Sequence, residues 1–141
     1  LVGAGCTDVT FMVRGRARPE TLAQARSAGA RVAVVSPGRW QPADVVVSTV
    51  PPASVLGLDE LAPAGSATDP PVLLDVVYGE GRTPLQQTAL QRGWRVAEGT
   101  LMLLHQAAEQ VRLMTGRPAP LDAMRAALER AAAEGTHPAG R

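Results

Sequence analysis

Lysine is absent from this sequence, and all fourteen basic side chains are arginines. A mechanism that needs a lysine ammonium or amine therefore cannot be completed by these residues alone. Cysteine occurs once, as Cys6, which excludes an internal disulfide and a structural zinc site built on cysteine pairs. A single cysteine and the absence of a basic and apolar leader are typical of the cytoplasm, where we expect the protein to reside.

Long apolar runs are missing as well, because no stretch reaches the roughly 18 residues of a membrane span. The chain has 141 residues, of which 45% are hydrophobic and 19% charged, enough for one globular domain with a core. Its net charge of +1 gives no general attraction to nucleic acid or to an anionic membrane. We therefore expect small-molecule ligands, with no metal site.

The first five residues, Leu-Val-Gly-Ala-Gly, look like the beginning of a glycine-rich phosphate-binding loop. Such a loop needs a strand before it, a third glycine and a helix after it. Here only two residues precede Gly3, position 8 is Asp8, and the residues that follow alternate like a strand. We predict instead the last turn of a helix, ended by Gly5 in the left-handed conformation. A phosphate loop is then expected upstream of Leu1.

Strands and helices alternate along most of the chain, which predicts an α/β fold with a parallel sheet. The predicted strands are Thr7–Val13, Ala30–Ser36, Ala43–Val50, Val72–Tyr78 and Trp94–Ala97. The predicted helices are Pro19–Ala28, Thr83–Arg92, Thr100–Thr115 and Leu121–Ala133, with a weak helical or turn segment to Leu61 and a loop from Ala62 to Pro71. Thr83-Pro84-Leu85-Gln86 is a capping box, and Gly116 should end the long helix.

A basic cluster, Arg14-Gly15-Arg16-Ala17-Arg18, follows the first predicted strand. If a phosphate loop and its strand lie upstream of Leu1, this strand is the second of a doubly wound nucleotide-binding fold. The tip of that second strand meets the adenosine ribose. An acidic residue there accepts from the free 2′-hydroxyl, whereas arginine pairs with a 2′-phosphate. Three arginines without an acid favour NADP, and a solvated turn is the alternative interpretation.

One face of the long helix carries Met102, Gln106 and Gln110, spaced by four residues. An amide suits sugar-like hydroxyls, and a thioether offers a soft surface to a nicotinamide ring; core filling and plain surface exposure are the alternatives. Asp75 interrupts an apolar strand either as a backbone-bonded structural acid, which we favour, or as part of a cofactor cleft. His105 points away from Gln106, so we do not expect it to be catalytic.

Taken in order, three segments of the second half resemble a known family. They are Asp75-Val76-Val77-Tyr78, Thr83-Pro84-Leu85 and Gly99-Thr100-Leu101-Met102-Leu103-Leu104-His105-Gln106 with the residues that follow to Gly116. Their order and spacing resemble the closing half of shikimate dehydrogenase, and the resemblance extends over most of the chain, from about Gly5 to Leu128. It implies NADP-dependent reduction of 3-dehydroshikimate to shikimate in aromatic amino-acid biosynthesis.

The resemblance also implies a fold and a domain organisation. Residues 1–100 would be a partial, Rossmann-like doubly wound parallel sheet that binds NADP and lacks its first strand and phosphate loop. Residues 101–134 would be two C-terminal helices returning toward an N-terminal substrate domain, and residues 135–141 a tail. A homodimer is left open.

The resemblance further implies roles for particular residues. Arg14 and Arg18 would hold the 2′-phosphate of NADP. The other implied cofactor contacts are Ser48, Thr49, Val50, Gly99 and Met102, and the implied substrate contacts are Tyr78 and Gln106. No catalytic residue is expected in the chain, because the family's catalytic lysine and aspartate would lie upstream, so these residues alone should be inactive.

Two alternatives stay open at this point. One is a shikimate or quinate dehydrogenase-like relative that uses NAD. The other is a nucleotide-binding module without chemistry, which the missing lysine and phosphate loop would suit. Ser48 also stands where the family often has asparagine.

Overall fold

The structure, a computed structural model, describes residues 2–39, 41–51, 71–77 and 81–135. The chain divides into two compact units, Leu1–Ala43 with Leu56–Thr68 and Asp44–Val55 with Asp69–Arg141. We call these the first unit and the second unit and describe each by itself. The turn and loop predicted between Pro52 and Pro70 lie outside the described residues.

The first unit opens with a 3-10 helical turn, Val2–Ala4. The backbone N–H of Gly5 donates to the carbonyl of Val2 at 2.9 Å, and Gly5 has a φ of +92°, in the left-handed region. The prediction of a helical turn ended by Gly5 is confirmed, with 3-10 in place of α geometry. A strand follows this turn, so the opening glycines do not form a phosphate loop.

A strand, a helix and a second strand complete the described part of the first unit. Strand β1, Asp8–Met12, pairs in parallel with β2, Arg31–Val35, and helix α1, Pro19–Ser27, joins them. Proline at the first helical position suits α1 because its missing N–H would have no intrahelical partner there. Gly29, with a φ of +98°, turns the chain into β2. Both predicted strands and the helix are confirmed, each a residue or two shorter.

The second unit contains a parallel sheet in the order β3-β4-β5. The strands are Val45–Ser48, Val72–Asp75 and Arg95–Glu98. The middle strand, β4, is the most buried because it has a neighbour on each side, and Leu73 at its centre is fully enclosed. The predicted strand Val72–Tyr78 is confirmed as Val72–Asp75, with Val76 and Val77 beyond its end. Tyr78 lies outside the described residues.

Three helices belong to the second unit within the described residues: α2, Pro84–Gln91, α3, Gly99–Thr115, and α4, Leu121–Gly135. Gly116, at a φ of +68°, ends α3 as predicted, and α4 packs against α3. The buried side chains of Leu73, Ala89, Trp94 and Leu104 form the core of this unit. In the part of the chain that the structure describes, none of the helices is long and apolar enough to cross a membrane.

The predicted fold class, α/β with parallel strands and two final helices, is confirmed. The described strands are grouped as a two-stranded and a three-stranded parallel sheet. That grouping was not predicted, because periodicity places strands along the chain without stating which of them pair.

Candidate functional site

The carboxyl ends of three parallel strands form one edge of the second unit's sheet. Ser48, the last residue of β3, is aligned with Asp75 of β4, which is aligned in turn with Glu98 of β5. The N–H of Val76 donates to the carbonyl of Ser48 at 3.0 Å, so the pairing continues to the last residue. Ligands of open α/β sheets bind outside the carboxyl ends of the strands. We call this the β3–β5 edge.

Gly99 begins α3 directly at the β3–β5 edge, and it is buried. A Cβ at this position would lie 2.9 Å from the carbonyl oxygen of Asp75 and 3.0 Å from those of Val76 and Val77. Such distances are too short for carbon against oxygen, so only glycine fits. The requirement is spatial rather than conformational, because Gly99 does not have a positive φ. The start of α3 is therefore packed against bare backbone at the end of β4.

Asp75 is 2% exposed, and both of its carboxylate oxygens accept hydrogen bonds. The hydroxyl of Thr83 donates to Oδ2 at 2.7 Å, and the N–H of Val77 donates to Oδ1 at 3.3 Å. A buried carboxylate must be hydrogen-bonded to be tolerated, and these two donors serve that need. The backbone bond predicted for Asp75 is present, and the choice between a structural acid and part of a cofactor cleft stays a prediction.

Thr83 joins Asp75 to the first turn of α2. Its hydroxyl accepts from the N–H of Gln86 at 3.2 Å, and its own N–H donates to Oε1 of Gln86 at 3.1 Å. The predicted capping box is therefore confirmed, with Gln86 buried. Sequence reasoning missed the bond from Thr83 to Asp75, although an aspartate at a strand end followed by a capping threonine is a usable pattern.

The first unit has an edge of its own, where β1 and β2 end. Strand β1 ends at Met12, and the N–H of Val13 donates to the carbonyl of Val35 at 3.0 Å, so both strands end together. Arg14 follows β1 and is exposed, and Arg18 is the exposed N-cap residue of α1. Both predicted phosphate ligands therefore flank the connection from β1 to α1. We call this the β1–β2 edge.

Positive charge is concentrated in the first part of the chain. Residues 1–43 contain six arginines but only two acidic residues, Asp8 and Glu20. Asp8 lies at the opposite end of β1, where it accepts two hydrogen bonds of 2.6 Å from Arg31. Those bonds, with a further one from the Thr7 hydroxyl, hold the pKa of the Asp8 carboxyl below its ordinary value. Asp8 is thus occupied away from the β1–β2 edge.

Comparison with known proteins assigns the chain to a family. Residues 99–129 match the family model described as the shikimate 5′-dehydrogenase C-terminal domain. The chain is 31% identical to the shikimate dehydrogenase (NADP(+)) of Oleidesulfovibrio alaskensis over 143 residues, which is 96% of this chain and 49% of that protein. The chain belongs to the shikimate dehydrogenase family.

Solved structures of shikimate dehydrogenases are similar as well. The enzyme of Mycobacterium tuberculosis is 34% identical, with a TM-score of 0.73 over 92% of this chain and 49% of that one. The shikimate 5-dehydrogenase of Mycobacterium fortuitum is 33% identical, with a TM-score of 0.72 over 89% and 48%. The chain therefore spans about half the length of the shikimate dehydrogenases that it matches.

The two units divide the cofactor residues that the family resemblance implies. In the second unit, the β3–β5 edge brings together Ser48, which is buried, and Gly99, with Thr49 exposed directly after β3. Val50 is half-buried, and so is Met102 in the first turn of α3. Their roles toward a cofactor stay predictions, as do those of Arg14 and Arg18 in the first unit.

The substrate residues are placed less completely. Gln106 is exposed on α3, four residues beyond Met102, while Tyr78 lies outside the described residues. His105 is exposed. Within the described ranges, no group of three histidine, cysteine or acidic side chains could hold a metal ion.

Proposed function

We propose that this chain is the NADP-binding part of an enzyme that reduces 3-dehydroshikimate to shikimate in the synthesis of aromatic amino acids. Membership of the shikimate dehydrogenase family supports the reaction, and the relative from Oleidesulfovibrio alaskensis is named for NADP(+). The observation that carries the proposal is the position of Arg14 and Arg18, exposed on either side of the β1–α1 connection.

The β1–β2 edge suits the adenosine end of NADP. A guanidinium binds a phosphate through two parallel hydrogen bonds, and charge-assisted bonds of this kind are about twice as strong as neutral ones. No acidic residue occurs between β1 and Glu20, so this connection lacks the carboxylate that accepts the 2′-hydroxyl of NAD in such folds. Arg14 and Arg18 would therefore select the phosphorylated ribose.

The β3–β5 edge suits the nicotinamide end. At Gly99 the backbone of α3 is packed directly on the backbone at the end of β4, which would fix the main chain against which a flat ring could lie. Met102, half-buried one turn farther along, would provide an apolar contact for the ring. When bound there, NADPH supplies the hydride that converts the ring ketone into an alcohol.

The ketone oxygen must also receive a proton, and this chain contains no lysine to provide it. We propose that the acid belongs to a substrate domain of the same protein and that these 141 residues bind NADP without turnover. Gln106, with Tyr78, would face the substrate from this side. Leu113 and Met114, 68% and 85% exposed near the end of α3, offer an apolar surface for that domain. The single cysteine supports a cytoplasmic location.

The double variant Arg14→Ala/Arg18→Ala tests the proposal by calorimetric titration with NADP and with NAD. Loss of two charge-assisted contacts should raise the dissociation constant for NADP about 30- to 100-fold, while that for NAD changes less than about twofold. Arg26→Ala is the matched control, because Arg26 lies in the last turn of α1 and its substitution removes a positive charge at another place in the same unit. It should leave both constants unchanged.

Equal losses of affinity for NADP and NAD in the double variant would contradict the assignment of Arg14 and Arg18 to the 2′-phosphate. Tighter binding of NAD than of NADP by the unmodified protein would favour the NAD-using alternative. Failure to bind either nucleotide in the presence of the substrate domain would overturn the proposed function.

A further inference from the structure

A tight turn ends β2 and presents a further arginine. Ser36, Pro37, Gly38 and Arg39 follow β2, and the N–H of Arg39 donates to the carbonyl of Ser36 at 3.1 Å. Gly38 has a φ of +82°. Proline second and a left-handed glycine third are typical of a type II turn, in which proline fixes its own φ and glycine allows the positive φ. Arg39 therefore leaves β2 from a rigid turn.

This turn lies beside the end of β1. Met12 is aligned with Val35, the last residue of β2, and the bond from Val13 to Val35 extends the pairing by one residue. Neighbouring strands are about 4.8 Å apart. Arg39 thus follows β2 at the same edge at which Arg14 follows β1.

The charges around Arg39 leave it available for an anion. Its side chain is exposed, and within the described residues it forms no ion pair. Among the acidic residues of the first 43 positions, Asp8 is bound to Arg31 at the far end of β1. Glu20, in the first turn of α1, is the other. Within residues 1–39, all of which except Leu1 the structure describes, the arginines therefore outnumber the acidic residues, and only Glu20 of those acids is not bound to Arg31.

We propose that Arg39 is a specificity-determining residue that contacts the 2′-phosphate of NADP together with Arg14 and Arg18. This inference rests on the proposed function, because it assigns the phosphate to the same edge. A phosphate monoester carries nearly two negative charges at neutral pH, so contacts from separate strands would each neutralise part of it. The rigid turn would reduce the conformational entropy that Arg39 loses on binding.

The experiment compares Arg39→Ala, Arg39→Lys and the control Arg26→Ala by calorimetric titration. The probes are NADP, NAD, and the adenosine pair 2′,5′-ADP and 5′-AMP, which differ only by the 2′-phosphate. Arg39→Ala should weaken the binding of NADP and 2′,5′-ADP about three- to tenfold and leave that of NAD and 5′-AMP unchanged. Arg39→Lys should retain part of the affinity, because it keeps the charge and loses the planar fork.

The outcomes separate this proposal from the one on which it rests. If Arg14→Ala/Arg18→Ala weakens NADP binding while Arg39→Ala does not, the role proposed for Arg39 is contradicted and the proposed function stands. If neither variant changes the affinity for NADP relative to that for NAD, the assignment of the 2′-phosphate to this edge fails. Equal weakening of 2′,5′-ADP and 5′-AMP binding by Arg39→Ala would show a contact with another part of the nucleotide and would also overturn the proposal.

Discussion

The β1–β2 edge and the β3–β5 edge are both carboxyl ends of parallel strands, yet they differ in almost every property. Exposed arginines surround the first, and α1 beside it contains no buried residue. The second is built from Asp75, which is 2% exposed, and from Gly99 packed on backbone carbonyls. One edge presents charge to solvent, and the other presents a closely packed backbone.

The difference shows that the carboxyl ends of parallel strands can present two unlike surfaces. Long, charged side chains need solvent access and tolerate loose packing around them. Closely packed backbone has a defined shape and tolerates little change in volume. Substitutions should therefore change stability at the β3–β5 edge and ligand affinity at the β1–β2 edge.

The largest effect is expected for Gly99→Ala. The added Cβ would overlap the carbonyl oxygens of Asp75, at the end of β4, and of Val76 and Val77 after it, so either α3 or this backbone must shift. We expect the free energy of unfolding, measured by urea denaturation, to fall by about 2–3 kcal/mol. Gly15→Ala at the other edge is the control, because nothing lies within 4 Å of a Cβ there. Comparable losses at both glycines would remove the contrast between the two edges.

Thr83→Val should have the next largest effect. It removes the donor to buried Asp75 and the acceptor that caps α2, for an expected loss of about 2 kcal/mol in the free energy of unfolding. Thr83→Ser keeps the hydroxyl and should lose less than about 1 kcal/mol. Equal losses for the two variants in thermal or urea denaturation would contradict the larger contribution expected from the hydrogen bonds.

Arg18→Ser should act in opposite directions on stability and binding. Arg18 is the N-cap residue of α1 and provides no side-chain cap, whereas serine would accept a hydrogen bond from the first turn. The free energy of unfolding should rise by about 0.5–1 kcal/mol while NADP binds more weakly. Arg18→Ala, the control, should weaken NADP binding to the same extent without raising the free energy of unfolding. Unchanged NADP affinity in both variants would indicate a solvated turn instead of a phosphate ligand.

The smallest effect concerns Asp8 at the amino end of β1. Arg31 lowers the pKa of this carboxyl, so its stabilisation is complete above the ordinary aspartate pKa and is lost as the pH falls through the lowered value. Both side chains are well exposed, and salt should weaken the effect. In an NMR titration, Arg31→Gln should return the Asp8 pKa toward its ordinary value. An unchanged pKa would contradict the ion pair.

Elements whose signals are local could be predicted from the sequence. The alternation over Asp8–Met12, the proline that opens α1, the capping box of Thr83 and the left-handed Gly116 all depend on residues within one or two turns of each other. Arg14 and Arg18 were also found this way, since their interpretation needed only a strand end followed by a helix. Their action on NADP stays a prediction.

Contacts between distant residues could not be predicted in the same way. The spacing of Met102 and Gln106 puts them on one helical face, but nothing local states which surface that face meets. The end of β4 at Asp75 likewise depends on where its partner strands β3 and β5 stop. Strand pairing joins segments far apart in the chain, and periodicity carries no information about it.

By itself, the sequence determined the helix and strand order, the helix ends, the excess of arginine in residues 1–43 and the likeness to shikimate dehydrogenase, because each depends on residue identity and short spacing. Only the tertiary structure decided that Gly99 must be glycine, that Asp75 binds Thr83, and that the strand before Arg39 pairs with the strand before Arg14. These facts arise where the chain returns to a distant part of itself, and there packing and register decide which atoms meet.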